Sequence, residues 1–310
     1  MECFDLGKLK KLIEKYALAL RSDSQLGFCL SICRENEDLY EHSCGPVSRF
    51  SILPIASLTK HLTAITAFRK EILSKSLGYY FDCPPKFRDI SIKDLANHTS
   101  GIPEFLYLPT DEQINSWSID QTIEFIFSLK PKERGHFHYT NSNYVLLSKT
   151  LELECGVRYD HCIKQTLFNQ LEMPFTYSYD EILERRAVLG PLFLKGRSKW
   201  SAAEVNRGNR GWGDSSFYSS IDDLNRWVTS RCFIEHTSQL ISLQSNRPYL
   251  NGLFLNSEKS LVFHSGSTPG SESFLASFAN EKVSVTYLSN HTSEQSQELI
   301  PSLMEVIGAR

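Results

Sequence analysis

The sequence predicts an α+β fold in which one antiparallel sheet is built from both chain ends and flanked by helices, with a mostly helical region inserted between them. Two observations predict it. Strand-like runs lie near the N-terminus, at residues 28–33 and 39–44, and several more occupy the last third of the chain. The middle of the chain shows helical spacing and loops. Strands near both ends with helices between them are most simply joined into a single sheet.

The elements of the N-terminal part follow from hydrophobic spacing and turn residues. Apolar residues recur at helical spacing over residues 6–20 and predict an amphipathic helix. The polar turn at 34–38 joins the first two strand-like runs into a hairpin, and residues 50–53 predict another short strand. A helix is predicted over 57–73, and a capping box at 91–94 opens a short helix.

The rest of the chain continues this pattern. Helices are predicted over 119–129 and 143–154, a Gly-, Arg- and Ser-rich loop over 197–216, and a capped helix over 220–228. The strand signals of the last third cover residues 250–255, 261–264, 274–279 and 283–289. A final helix, 293–307, is expected to pack beside the first.

Two subdomains follow from this arrangement. Residues 1–75 and 216–310 are expected to form the sheet subdomain, and residues 76–215 the mostly helical one. The chain has 310 residues and a net charge of -3, so it has no broad positive field to attract nucleic acid or anionic lipid. No stretch is long and apolar enough to span a bilayer. We therefore expect no nucleic-acid partner and no membrane span, and the sequence identifies no protein partner.

The eight cysteines predict neither a metal site nor a disulfide framework. They form no Cys-x-x-Cys pair and have no histidine at zinc-finger spacing. The residues after Met1 show no apolar signal-peptide core, so we expect a cytoplasmic protein with reduced, packed thiols. An oxidised Cys29–Cys33 pair is the weighed alternative, and secretion by a specialised system is compatible with this sequence.

The segment from Ser57 to Lys60 is the strongest functional signal. A serine hydroxyl needs a partner that takes its proton as it attacks a carbonyl. Residues three apart share a helical face, so the Lys60 amine is within reach of the Ser57 hydroxyl if Ser57 opens a helix. The first helical N–H groups have no intrahelical partner, so the Ser57 amide is free to face an oxyanion. The alternative interpretation of this short motif is an ordinary surface helix start.

Four further motifs follow in order. They are the Leu-x-x-His-Thr-Ser-Gly loop at 95–103, the Tyr-x-Asn element at 139–144, the helix start at 217–224 and the His-Ser-Gly segment at 264–270. Together with residues 55–64, this set resembles the serine β-lactamase and penicillin-binding-protein-like hydrolases, in particular the class C-like branch of esterases, D,D-carboxypeptidases and D-aminopeptidases. The resemblance covers most of the chain and implies a β-lactamase/transpeptidase-like fold.

The resemblance also implies roles for two residues of the Tyr-x-Asn element. Tyr139 would lie beside Lys60, share the proton taken from Ser57 and protonate the leaving group. Whether Lys60 or Tyr139 is the main base stays open. Asn141 would hold the substrate carbonyl and orient Lys60, although a turn residue capping the next helix explains it nearly as well. A second Tyr-x-Asn begins at Tyr249, but it sits beside a strand, so Tyr139 is the candidate.

The third motif departs from the Lys-Thr-Gly that many β-lactamases carry. Its residues implied in substrate binding are His264, Gly266 and Ser267. A histidine in place of lysine removes a fixed positive charge, which favours an esterase or aminopeptidase over efficient β-lactam hydrolysis. Gly266 would let substrate approach the strand, and the Ser267 N–H would complete an oxyanion hole with that of Ser57. His98 is expected to brace the site without a catalytic role.

These residues predict a serine hydrolase that needs no cofactor or metal and acts on a small-molecule or peptide substrate. It would cleave an ester or amide through an acyl-enzyme on Ser57. Two alternatives stay open at this point. An acyltransferase or cyclase would use the same acyl-enzyme, and a catalytically silent scaffold would use the cleft for binding alone. The acyl group, the leaving group, activity toward β-lactams and the oligomeric state are not specified by the sequence.

Overall fold

A computed structural model describes residues 4–20, 23–35, 37–106, 116–185, 193–195, 200–202, 212–243, 246–258, 260–292 and 294–308. Its strands are β1 Phe28–Arg34, β2 Glu37–Cys44, β3 Leu53–Pro54, β4 Tyr177–Ser178, β5 Phe193–Lys195, β6 Trp200–Ala202, β7 Phe217–Ser219, β8 Tyr249–Leu250, β9 Leu253–Leu255, β10 Val262–Thr268, β11 Ser271–Phe278, β12 Val283–Ser289 and β13 His291–Thr292. Its helices are α1 Leu6–Leu20, α2 Thr59–Arg69, α3 Leu77–Tyr80, α4 Pro85–Arg88, α5 Ile92–Ala96, α6 Ile119–Ser128, α7 Asn141–Cys155, α8 Tyr159–Ile163, α9 Tyr179–Arg185, α10 Ile221–Thr229, α11 Arg231–Ser242 and α12 Glu294–Val306.

The main sheet joins the two ends of the chain, as the strand signals predict. Its seven strands lie in the order β2-β1-β12-β11-β10-β9-β8. The junction is the antiparallel pairing of β1 with β12, which runs from Phe28 opposite Ser289 to Arg34 opposite Val283. The other neighbouring strands are also antiparallel. The α+β fold with a sheet built from both chain ends is therefore confirmed.

Helices cover both faces of this sheet. On one face, α1 and α12 pack together over a core that includes Phe28, Phe274 and Tyr287. On the other face lies α10, where the Asn225 side chain donates to the Ser31 hydroxyl at 2.8 Å and accepts from the Thr286 hydroxyl at 2.7 Å. Both hydrogen bonds are buried, so they fix α10 against the centre of the sheet.

Several predicted boundaries differ from the structure. The strand expected at 50–53 is the two-residue β3, which pairs with β7 in a separate small sheet. The helix expected over 57–73 begins with a 3₁₀ turn, Ala56–Leu58, and α2 ends at Arg69. Residues 197–199 and 203–211 of the predicted loop lie outside the described residues, and β6 lies between them. The capping box at Ser91 is present as predicted.

The prediction that the cysteines are reduced is wrong for two of them. Cys155, at the end of α7, forms a disulfide with Cys162 in α8. Gly156 is in the left-handed conformation after α7, and this sharp turn brings the two helices together. Cys29 and Cys33 are free and buried. The two-subdomain division stays a prediction. Within the described ranges, no helix combines the length and apolar character that crossing a membrane requires.

Acid is expected to destabilise this fold through buried histidines. Burial lowers the pKa of His236 and of His291 to about 4, whereas an unfolded histidine has a pKa of about 6.5. As the pH falls between these values, the unfolded chain binds more protons than the folded one. The contribution of these histidines to the free energy of unfolding is therefore fully present above pH ~6.5, and it is lost as the pH falls toward ~4.

Urea unfolding at about pH 7 and about pH 5 tests this expectation. His236→Leu removes one such group, and neither ring nitrogen of His236 is hydrogen-bonded within the described residues. Between about pH 7 and about pH 5, we expect the free energy of unfolding of this variant to fall by about 2 kcal/mol less than that of the parent. His161→Gln, at an exposed position, should lose as much stability as the parent. An equal loss in His236→Leu and the parent would contradict the prediction.

Candidate active site

Ser57 and Lys60 lie at the junction between the 3₁₀ turn and α2. The Lys60 Nζ donates a hydrogen bond to the Ser57 Oγ at 3.0 Å. Ser57 is partly exposed, whereas the Lys60 side chain is fully buried. Ala56, directly before the serine, has a φ of 47°. A non-glycine residue in the left-handed region carries strain, and such strain clusters at functional sites.

The Lys60 amine is held from three sides. It donates a second hydrogen bond to the Asp214 main-chain oxygen at 3.0 Å. It also lies 5.0 Å from the ring centroid of Tyr139 and 5.7 Å from that of Tyr144. Because these contacts fix a long, flexible side chain, the amine is held in place beside Ser57 before any substrate binds.

Tyr139 therefore reaches Lys60 through its ring. One residue, Thr140, separates Tyr139 from the start of α7. The Thr140 hydroxyl accepts a hydrogen bond from the Ser142 N–H and so caps the helix. His98 packs against Tyr139, with 4.5 Å between ring centroids. The His98 Nδ1 also accepts from the Thr140 N–H at 3.3 Å, so His98 braces the start of α7.

Asn141 is fixed by a residue that the sequence analysis missed, Glu104. The Glu104 Oε2 accepts from the Asn141 backbone N–H at 2.7 Å and from its Nδ2 at 3.0 Å. Burial raises the pKa of Glu104, and the Asn141 N–H bond opposes that rise. The sequence feature that could have indicated Glu104 is its position, directly after the loop motif that ends at Pro103.

His264 packs within this site, but both of its ring nitrogens already have partners. Its Nδ1 lies 2.6 Å from the Ser265 carbonyl oxygen, and its Nε2 lies 3.3 Å from the Tyr249 hydroxyl. A carbonyl oxygen only accepts, so we assign the proton to Nδ1, and Nε2 accepts from Tyr249. Burial, reinforced by the Lys60 charge, lowers the pKa of His264 to about 3. The imidazole is thus neutral at physiological pH.

Strand β10 brings Gly266 directly against the Ser57 turn. A Cβ atom on Gly266 would lie 2.8 Å from the Ser57 nitrogen and 2.7 Å from the Ile55 oxygen. Real Cβ contacts are never so short, so this approach requires glycine. Ser267, next along the strand, is exposed. The close approach places this part of β10 beside the Ser57 amide.

A sequence model of the beta-lactamase family matches residues 19–306. The chain belongs to the beta-lactamase family. Its solved structural neighbours include the octameric penicillin-binding protein homologue from Pyrococcus abyssi, with a TM-score of 0.80 and 21% identity over 98% of this chain and 78% of that chain. They also include the D-amino acid amidase from Ochrobactrum anthropi SV3 complexed with L-phenylalanine amide, with a TM-score of 0.75 and 18% identity over 97% of this chain and 99% of that chain.

Two curated relatives support the family assignment. Protein flp of Staphylococcus aureus (strain MW2) is 24% identical over an alignment of 231 residues, and the match covers 69% of this chain and 46% of that protein. Penicillin-binding protein 4* of Bacillus subtilis (strain 168) is 27% identical over an alignment of 165 residues, and the match covers 47% of this chain and 36% of that protein. The matches thus span less than half the length of these relatives. The predicted resemblance and the β-lactamase/transpeptidase-like fold are confirmed.

In this beta-lactamase-family protein, the second Tyr-x-Asn element forms the β8–β9 hairpin beside the site. Tyr249 is fully buried, and the turn residues Asn251 and Gly252 have φ values of 44° and 87°. Positive φ at both residues is typical of the tight turns that join two antiparallel strands. A Cβ on Gly252 would lie 2.8 Å from the Lys60 main-chain oxygen. The hairpin therefore packs directly on the backbone of α2, at Lys60.

Proposed function

We propose that the protein is a serine hydrolase that cleaves an ester or amide bond through an acyl-enzyme on Ser57. The observation that carries the proposal is the 3.0 Å hydrogen bond between the Lys60 Nζ and the Ser57 Oγ. A serine within hydrogen-bond distance of a fixed amine is the arrangement that nucleophilic catalysis needs. The beta-lactamase family assignment and the D-amino acid amidase neighbour support it.

In the proposed mechanism, the Ser57 Oγ attacks the substrate carbonyl carbon while its single proton passes to the Lys60–Tyr139 pair. The negative charge that develops on the carbonyl oxygen is stabilised by the main-chain N–H groups of Ser57 and Ser267. Tyr139 then returns a proton to the leaving group, which departs and leaves an ester on Ser57. Water attacks this ester by the same steps and releases the acid.

Asn141 and His264 have supporting roles in this proposal. Glu104 occupies one N–H of the Asn141 amide, so the other N–H and the carbonyl oxygen are the groups that Asn141 can offer to the substrate and to Lys60. His264 packs against Tyr139, with 6.1 Å between ring centroids. Because it is neutral and bonded at both nitrogens, we assign it a packing role rather than recognition of a substrate carboxylate.

Intact-protein mass spectrometry after incubation with a fluorophosphonate tests the proposal. We expect one adduct on the parent protein, formed when the Ser57 Oγ displaces fluoride from phosphorus, and none on Ser57→Ala. A penicillin and a panel of activated esters, used in parallel, would show which acyl groups Ser57 accepts. A folded parent protein without any adduct, or equal labelling of Ser57→Ala, would refute the proposal.

A further inference from the structure

Four aromatic rings in contact with one another lead away from the proposed catalytic centre across the edge of the main sheet. Tyr139 stacks on Phe254, with 6.2 Å between ring centroids and 11° between ring planes. Phe254 stacks in turn on Phe263, at 5.6 Å and 22°. Phe137 meets Phe254 edge-on at 6.2 Å. We call these four side chains the aromatic row.

All four members of the aromatic row are partly open to solvent, and Phe137 is 38% exposed. A single exposed apolar side chain needs no explanation, but contiguous exposed apolar surface marks a site where something binds. Tyr249 contacts three of these rings and is fully buried, so aromatic packing here does not by itself leave a ring exposed. The row is therefore a candidate binding surface.

The position of the aromatic row indicates that it would contact the leaving group of the substrate. One end of the row is Tyr139, whose ring lies 5.0 Å from the Lys60 Nζ. If Tyr139 protonates the leaving group, the leaving atom must come within hydrogen-bond reach of its hydroxyl. Phe254 contacts the Tyr139 ring and Phe137 contacts Phe254, so these two rings are the candidates to contact the remainder of the leaving group.

The chemistry of the aromatic row selects against polar and charged groups. None of its members is charged, and His264 packs beside it, with its ring centroid 5.3 Å from that of Phe254. Both His264 nitrogens are already bonded, so this residue offers no hydrogen bond to a polar leaving group. Flat aromatic surfaces bind other aromatic rings by stacked or edge-on contact.

We propose that the aromatic row is a leaving-group subsite that selects substrates whose leaving alcohol or amine carries an aromatic ring. This inference rests on the proposed acyl-enzyme mechanism, because it assigns the leaving group to the Tyr139 side of the site. Phe137 and Phe254 are its specificity-determining residues. An aromatic contact of this kind changes relative rates by about fivefold to tenfold.

Two esters of the same acid test the subsite. Benzyl propionate and propyl propionate share the acyl group and differ in the leaving alcohol. We expect the ratio of their kcat/KM values to fall about fivefold to tenfold in Phe137→Ala and to fall also in Phe254→Leu. Phe50→Ala, at a side chain 56% exposed outside the aromatic row, should leave the ratio unchanged. An unchanged ratio in both row variants, or an equal loss for both esters, overturns the proposal.

A binding measurement separates failure of the subsite from failure of the mechanism. Saturation-transfer NMR with benzyl alcohol on the Ser57→Ala protein needs no chemistry at Ser57. We expect a benzyl alcohol signal that is lost when Phe137→Ala is added, and no signal from propanol. Absence of the benzyl alcohol signal overturns the subsite. A parent protein that binds benzyl alcohol but is not labelled by the fluorophosphonate refutes the proposed function instead.

Discussion

Ser57→Ala is expected to lower the turnover of any ester or amide substrate by about 10⁴-fold or more, because the variant lacks the oxygen atom on which the proposed acyl-enzyme would form. The fold should persist, since the change removes one partly exposed oxygen atom. Initial rates with an activated ester, measured on equal amounts of folded parent and variant, provide the test. Ser242→Ala, at an exposed serine near the end of α11, is the matched control and should keep the parent rate. A Ser57→Ala protein with parental turnover would place the chemistry elsewhere.

Lys60→Met is expected to lower kcat by about 10³-fold, within the range that general-base catalysis contributes. The Lys60 Nζ lies 3.0 Å from both the Ser57 Oγ and the Asp214 main-chain oxygen. Methionine keeps an unbranched side chain, but it can neither accept the Ser57 proton nor donate to the Asp214 oxygen. The free energy of unfolding should change little, since methionine is similar to lysine in length and its apolar side chain fills the same buried site.

Kinetics and urea unfolding of the same protein samples separate these effects. Lys70→Met, at an exposed lysine just beyond α2, is the control and should match the parent in both measurements. A Lys60→Met protein that keeps a substantial part of the parental kcat would show that Tyr139, or another group, takes the Ser57 proton without the lysine. A variant that loses activity only because it unfolds would show a matching loss in the urea measurement.

The sequence predicted the parts of the fold and site that depend on local spacing or on motif order. The three-residue interval from Ser57 to Lys60 was sufficient to place the amine beside the hydroxyl, because helical geometry is regular. Strand periodicity near both ends was sufficient to predict the shared sheet, and β1 indeed pairs with β12.

The remaining features depend on contacts between distant segments, which one sequence does not specify. Glu104 bonds Asn141 only because the loop after α5 folds against the start of α7. The Tyr249 hydroxyl in β8 forms a hydrogen bond with His264 in β10, and no residue spacing in the sequence indicates this contact. The Cys155–Cys162 disulfide is different, because its two residues are only seven apart in sequence and it depends on how α8 turns back beside α7.

The pairing of β1 with β12 also determines when the protein can fold during its synthesis. The turn at Ser57 emerges from the ribosome long before β10, whose Gly266 it contacts in the folded protein. Until β12 is available, the β1–β2 hairpin has one unpaired inner edge, rich in apolar residues, that is open to pairing with other chains. Folding dominated by such distant contacts is slow. The nascent chain is therefore inactive and prone to aggregate until its last third has been made.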